Sequence, residues 1–162
     1  MYRIGQGIDF HQLALKKNHP KPLILGGIEI ESELSIIAHS DGDIIIHSLA
    51  DAILGALGEA DIGEYFPDTI QETKNLDSKI ILRKALHKIK EQNYSIVNMD
   101  ITLITEEPKI KNFREKIKEN LASLCNLSKT QIALKATTTE KKGFIGRKEG
   151  IGCLAVVLLK KD

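Results

Sequence analysis

Cysteine is scarce. Cys125 and Cys153 are the only two thiols in 162 residues, lie far apart and form no C-x-x-C pair, which excludes a disulfide scaffold and leaves both expected as reduced, buried side chains. Charge of one sign is also missing. Lysine and arginine total 23 against 22 acidic residues, a formal charge of +1, so the field needed to hold a polyphosphate backbone without specificity is absent and nucleic acid is not an expected partner. No apolar run reaches the roughly 20 residues of a membrane helix. The greasiest stretch, Ile44 to Leu57, is interrupted by His47, Ser48 and Asp51. Met1-Tyr2-Arg3-Ile4 leads straight into patterned sequence without the features of a secretory signal, so a cytoplasmic protein without membrane contact is expected. Repeats, low-complexity segments and a G-x-S-x-G nucleophile elbow are absent too.

What is present, 42% hydrophobic and 28% charged residues in 18.0 kDa, suits a single domain over 1–162 that removes about 70% of its unfolded surface from water. Strand patterning opens the chain from Tyr2 to Leu13, and Pro22–Leu25 and Ile28–Ile30 read as a hairpin on Gly26-Gly27. The polar segment Lys16 to Lys21 between them reads as an exposed loop whose lysines and histidine are solvated. Ser40, three residues before Asp43, suggests a capping arrangement for a helix running to Leu57. Asp61-Ile62-Gly63 and Phe66-Pro67-Asp68-Thr69 then read as loop. Helices over Ser78–Gln92 and Lys111–Cys125 flank an alternating strand from Tyr94 to Thr105. A strand over Gln131–Thr138, a turn around Gly143 and Gly146, and an apolar strand over Ile151–Leu159, expected to be covered on both faces, complete the chain. This order predicts an α+β fold, a mixed sheet with helices packed on one face, over a doubly wound parallel sheet.

Chemistry-bearing residues cluster at two places. Asp9 and His11 alternate along the first strand and so share a face. Alone, such a pair describes equally well two surface groups hydrogen-bonded to each other. The following helix adds a polar stripe, Asp43, His47 and Asp51 at four-residue spacing, where a merely wet face would use lysine and glutamate. That stripe reads as a metal ligand, His47, with aspartates that orient it. Asp9, His11 and His47 would give zinc two nitrogens and one oxygen and leave a tetrahedral corner for a reacting phosphate oxygen. The second cluster runs from Lys135 through Thr137, Thr138, Thr139 and Glu140 to Phe144, with Arg147 beyond. Threonine runs also fill strands, and an arginine is by default solvated. Hydroxyls and backbone donors at a strand end nevertheless suit phosphate, and Glu140 is a hard oxygen ligand of the magnesium type.

Taken in order, Gly5-Gln6-Gly7-Ile8-Asp9-Phe10-His11, Pro22 to Gly27, Ala38 to His47, Asp61-Ile62-Gly63, Phe66-Pro67-Asp68 and Lys135 to Arg147 with Glu149-Gly150 resemble the 2-C-methyl-D-erythritol 2,4-cyclodiphosphate synthase family nearly end to end. The loop from Gln12 to Lys21 is longer than usual in that family, and Ala60 stands where glycine commonly precedes Asp61. The resemblance implies zinc on Asp9, His11 and His47, and contacts to a methylerythritol phosphate from His39, Ser40, Asp61, Ile62, Gly63, Phe66, Pro67 and Asp68. It assigns transition-state stabilisation to Thr138 and His39. It implies a cytidine diphosphate pocket from Thr105, Glu106, Glu107, Pro108, Lys109, Ile110, Lys111, Thr137 and Thr139, magnesium on Glu140, and further binding contacts from Phe144 and Arg147. It implies a homotrimer with the active site between subunits, and conversion of a cytidylated methylerythritol 2-phosphate into a cyclic diphosphate. Two alternatives stand beside it: another zinc-dependent phosphoryl-transfer enzyme or phosphohydrolase, and a non-enzymatic trimeric module whose metal serves stability.

Overall fold

Alternating small and apolar residues build the first strand, β1 (Tyr2–Leu15), which forms an inner strand of a sheet in the computed structural model described here. The structure describes residues 1–67, 69, 71 and 75–162. The other strands are β2 (Leu23–Leu25), β3 (Ile28–Ile30), β4 (Leu34–Ile37), β5 (Tyr94–Ile104), β6 (Ile132–Thr137) and β7 (Gly150–Lys161). Five of them form a mixed sheet in the order β4-β1-β7-β5-β6, with β5 and β6 parallel and the other pairs antiparallel. The expected hairpin on Gly26-Gly27 is present as the pair β2-β3. Strand β4 is unexpected: its four residues are too few to show a period, and pairing with the far end of β1 holds them extended.

Helices α1 (Ile44–Leu57), α2 (Ile62–Tyr65), α3 (Ser78–Glu91), α4 (Arg114–Cys125) and α5 (Gly143–Gly146) complete the fold. The cap of α1 is Asp43, not Ser40: its carboxylate accepts the Ile46 amide. The segment after α1, expected as loop, contains α2 because Asp61 accepts the Glu64 amide and starts a turn. The helix expected from Lys111 begins at Arg114 after a 3₁₀ turn over Ile110–Asn112. The Gly143 to Gly146 turn is itself one helical turn. In β5 a register shift between Ile96 and Asn98 leaves Val97 half-buried, so the clean alternation starts at Met99.

Glycine decides how closely α1 approaches the sheet. A Cβ on Gly5 would stand 1.9 Å from the Ala52 carbonyl oxygen, and one on Gly7 would stand 2.0 Å from that of Ser48. The helix therefore lies backbone to backbone on β1, and its first turn comes to rest over the next residues on the same face, Asp9 and His11. On this face the core is continuous, from Ile44, Ile45 and Ile53 in α1 to Met99, Ile101 and Leu103 in β5 and Cys153, Ala155 and Val157 in β7. The opposite face differs from expectation for the last strand. Leu154, Val156 and Leu158 are only half-buried, and across from them Ile4 is 71% and Ile8 51% exposed. Helix packing thus covers one side of the sheet. Among the described residues, no helix is long and apolar enough to cross a membrane.

Candidate metal centre

The period of β1 and the seating of α1 bring three donor atoms together. Asp9 Oδ2 lies 3.0 Å from His11 Nε2 and 3.1 Å from His47 Nδ1, and the two ring nitrogens are 3.2 Å apart. Around a tetrahedral ion with bonds of about 2.0–2.1 Å, neighbouring donors stand roughly 3.3 Å apart. Two imidazole nitrogens and a carboxylate oxygen at this spacing match that set, and a divalent cation is the natural neutraliser of lone pairs aimed at one point. His47 is buried and the other two are half-buried.

Electrostatics follow the same geometry. Burial would raise the Asp9 carboxyl, but hydrogen bonds and charge from His11 and His47 outweigh it and hold it well below the usual carboxylate range. Burial would lower the His47 imidazole, and the Asp9 carboxylate beside it, with Asp43 and Asp41 farther off, holds it above its ordinary value.

The aspartates expected to orient His47 do other work. Asp43 is fully buried and accepts the amides of Gly26, Gly27 and Ile46, tying the β2-β3 turn to the start of α1. Asp51 accepts the Ile62 amide at 2.8 Å and so positions α2; burial raises its carboxyl despite that bond. The ring of His47 instead meets Ser78 Oγ at 2.8 Å and Ser40 Oγ at 3.3 Å through Nε2. Ser78 had registered in the sequence only as the start of a helix.

Beside the donors opens a cavity of about 470 Å³ lined by Asp9, His11, His39, Ser40, His47, Asp51, Ile62, Gly63 and Phe66, with Ile37, Leu76 and Ile81 as apolar wall. Most of the residues assigned to the methylerythritol phosphate thus share one space with the candidate metal ligands. Asp61 caps α2 and is not among the lining residues. Pro67 follows in the chain, and Asp68 lies outside the described residues. Lys21, expected to be solvated, is half-buried; its ammonium donates to the Ala38 carbonyl at 3.2 Å and to that of Ser40, bracing both sides of His39. Burial lowers its pKa against the pull of Asp41.

The second cluster gathers elsewhere. Thr105, Pro108, Lys109, Ile110, Lys111, Thr137 and Thr138 line a cavity of about 170 Å³, joined by Arg114, which sequence reading did not single out. Its floor is held by local bonds. Thr105 Oγ1 donates to the Glu107 carbonyl, and Glu106 Oε1 accepts the amides of Thr139 and Lys141 at 3.2 and 3.0 Å. Those bonds, the Lys141 amide foremost, hold the Glu106 carboxyl below its ordinary value. Glu106 therefore pins the turn, and Glu107 faces a different groove with Lys16 and Lys148. Thr138 Oγ1 donates to Glu140 Oε1 at 3.1 Å, and Glu140 adopts a left-handed φ of 51° at the tip. Phe144 stacks edge-on against Phe10, ring centroids 6.1 Å apart, and shares a groove with His11. Arg147 forms a two-pronged pair with Glu149 on the surface. Among the described residues the two cavities share no lining residue. Both thiols are buried and pushed up to about 12 by burial, so neither is a nucleophile.

An α+β fold whose mixed sheet and first long helix deliver two imidazoles and a carboxylate to the wall of one cavity defines a protein with a candidate divalent-metal site. The sequence profile of the YgbB family matches residues 2–160. The chain belongs to that family, which includes the 2-C-methyl-D-erythritol 2,4-cyclodiphosphate synthases. It is 56% identical to such a synthase from Leptospira borgpetersenii over 162 residues, covering 100% of this chain and 99% of that one. Against a synthase from a Geobacillus strain the identity is 47% over 161 residues, 99% of each chain. Among solved structures, the CDP complex of IspF from Plasmodium falciparum superposes with a TM-score of 0.87 at 44% identity, over 99% of this chain and 97% of that one. The bifunctional IspDF from Campylobacter jejuni gives 0.93 at 42% identity, with all of this chain covering 43% of that one.

Proposed function

We propose that this chain converts 4-diphosphocytidyl-2-C-methyl-D-erythritol 2-phosphate into 2-C-methyl-D-erythritol 2,4-cyclodiphosphate and CMP, the cyclodiphosphate-forming step of the non-mevalonate isoprenoid pathway. The observation that carries this reading is the Asp9, His11 and His47 triad in one cavity with His39 and Ser40, in a chain 56% identical end to end to a synthase of that name. A 2-phosphate oxygen attacks the β-phosphorus and closes the ring. The bond from that phosphorus to the α-phosphate oxygen breaks, and CMP leaves with the electron pair.

Asp9, His11 and His47 are the residues to hold zinc, which when bound supplies Lewis-acid stabilisation to a phosphate oxygen. His39 and Ser40, with Asp61, Ile62, Gly63, Phe66, Pro67 and Asp68, then bind the methylerythritol phosphate portion. Thr138 and His39 stabilise charge in the transition state. Thr105 to Lys111 with Thr137 and Thr139 receive the cytidine diphosphate, and Phe144 and Arg147 complete the contacts; Glu140 is the residue that would hold magnesium, which when bound would offset diphosphate charge. Most of the rate comes from folding the substrate so that its ends meet, where effective molarities of about 10⁵ to 10⁸ M correspond to roughly 7–11 kcal/mol.

The working unit in this reading is a cytoplasmic homotrimer with each active site between neighbours. Two features support the assembly. The uncovered sheet face is apolar, with Ile4, Ile8 and Phe10 each more than half exposed. The two cavities assigned to one substrate also share no lining residue among the described residues of a single chain.

A zinc phosphohydrolase is not favoured, because the relatives at 45–56% identity carry the synthase name. Product analysis on the cytidylated substrate tests the reading directly. Cyclic diphosphate with an equal yield of CMP is expected, and inorganic phosphate without cyclic product would overturn it.

A further inference from the structure

We infer that Ser78, backed by Asp41, is a positioning residue that sets the tautomer of His47 and thereby presents its Nδ1 lone pair to the metal. The inference rests on the metal reading of the triad and concerns residues that neither ligate nor line the second cavity.

Proton accounting carries it. Ser78 is fully buried at the start of α3, and its Oγ lies 2.8 Å from His47 Nε2. A hydroxyl has one proton to give, and the proton of Ser78 goes to Asp41 Oδ1, with which it makes a short contact. Asp41 is itself fixed: its Oδ2 accepts the Ser78 amide at 2.9 Å, its Oδ1 accepts the Asp43 amide at 3.1 Å, and its own amide donates to the Leu76 carbonyl at 3.1 Å. A carboxylate only accepts, so Ser78 Oγ faces His47 with lone pairs. Nε2 must then carry the ring proton. The second hydroxyl near that nitrogen, Ser40 Oγ at 3.3 Å, accepts the Gly42 amide and has a lone pair to spare for the same proton. With Nε2 protonated, Nδ1 is bare, and it is Nδ1 that stands 3.1 Å from Asp9 Oδ2 and 3.2 Å from His11 Nε2.

Without Ser78 the hydrogen bond to Asp9 would draw the ring proton onto Nδ1, where it blocks the ligating atom. Partners of this kind tune metal affinity by about 10- to 100-fold. The path from Asp41 through Ser78 to His47 also links two helices and the loop that carries His39 and Ser40, so the ring is held in orientation as well as in tautomer.

The test reads ring nitrogens by ¹⁵N–¹H correlation spectroscopy in the full chain, stripped of metal with a chelator and held at alkaline pH so that the imidazole is neutral. Wild-type protein is expected to show His47 protonated on Nε2, and Ser78→Ala is expected to move the proton toward Nδ1 while leaving the His11 signals in place. Competition with a chromophoric chelator should then show zinc bound about 10- to 100-fold more weakly by Ser78→Ala. That variant keeps the backbone bond from residue 78 to Asp41, and a circular dichroism spectrum matching wild type checks that its fold is retained. A wild-type ring protonated on Nδ1, or a Ser78→Ala protein that keeps Nε2–H and binds zinc as tightly as wild type, overturns the inference. Failure of the metal reading itself is separate: it would appear as His47→Ala and wild-type proteins with the same zinc affinity.

Discussion

Asp43 Oδ1 stands 2.8 Å from the Gly26 amide and 3.2 Å from the Ile46 amide, so one buried carboxylate joins the β2-β3 turn to the first turn of α1. His47 sits one turn further along the same helix. Burial pushes the Asp43 carboxyl up to about 6, against the pull of the three amides it accepts. Between its ordinary value of 3.8 and about 6 the folded chain therefore binds more proton than the unfolded one, and the contribution of this residue to stability falls as pH rises through that window. Urea unfolding at a series of pH values should show this slope in wild type and a shallower one in Asp43→Asn, with Asp51 still contributing. The variant should also be less stable by roughly 2–4 kcal/mol, since an amide group cannot accept all three backbone donors.

A methyl group at Gly7 has no space. Its Cβ would meet the Ser48 carbonyl at 2.0 Å, and backbone on both sides leaves no side chain to swing away. Gly7→Ala should lose about 3 kcal/mol of stability, read from denaturant midpoints, and weaken zinc binding as α1 lifts His47 from Asp9 and His11. A variant with unchanged midpoint and unchanged zinc affinity would contradict the account of how the helix is seated.

In the proposed homotrimer, charge on the uncovered sheet face should divide the subunits. Ile8 is 51% exposed, pairs in register with Leu154 and lies two residues from the Phe10 that stacks on Phe144. Ile8→Glu should shift sedimentation from trimer to monomer, with native circular dichroism and cyclisation lowered by at least about 100-fold, a loss of roughly 2.7 kcal/mol in transition-state stabilisation. A fully active monomer would refute the shared active site.

The long helices and strands were legible because their apolar periods are long and tertiary packing agrees with them. Elements as short as β4 and α2 carry no period: β4 is held by pairing with β1, and α2 starts on its Asp61 cap and is positioned by the Asp51 carboxylate. The grouping of Asp9, His11 and His47 as a candidate metal site was legible because two types of spacing, alternate on a strand and turn by turn on a helix, select residues that share a face. Spacing misled at Asp43 and Asp51, which share that face yet bond to backbone amides of neighbouring segments. Ser78 and Lys21 gave no signal, since a serine at a helix start and a lysine in a polar loop are ordinary until the fold sets them against His47 and the carbonyls beside His39.

The central claim, that Asp9, His11 and His47 hold one divalent ion on which cyclisation depends, is tested most directly by measuring zinc per chain and cyclic diphosphate formed on the same samples before and after chelation. The account predicts stoichiometric zinc and turnover in the untreated protein, loss of both on chelation, recovery of both on adding zinc, and neither in folded His47→Ala. Undiminished cyclic product from chain emptied of every divalent transition metal would contradict it.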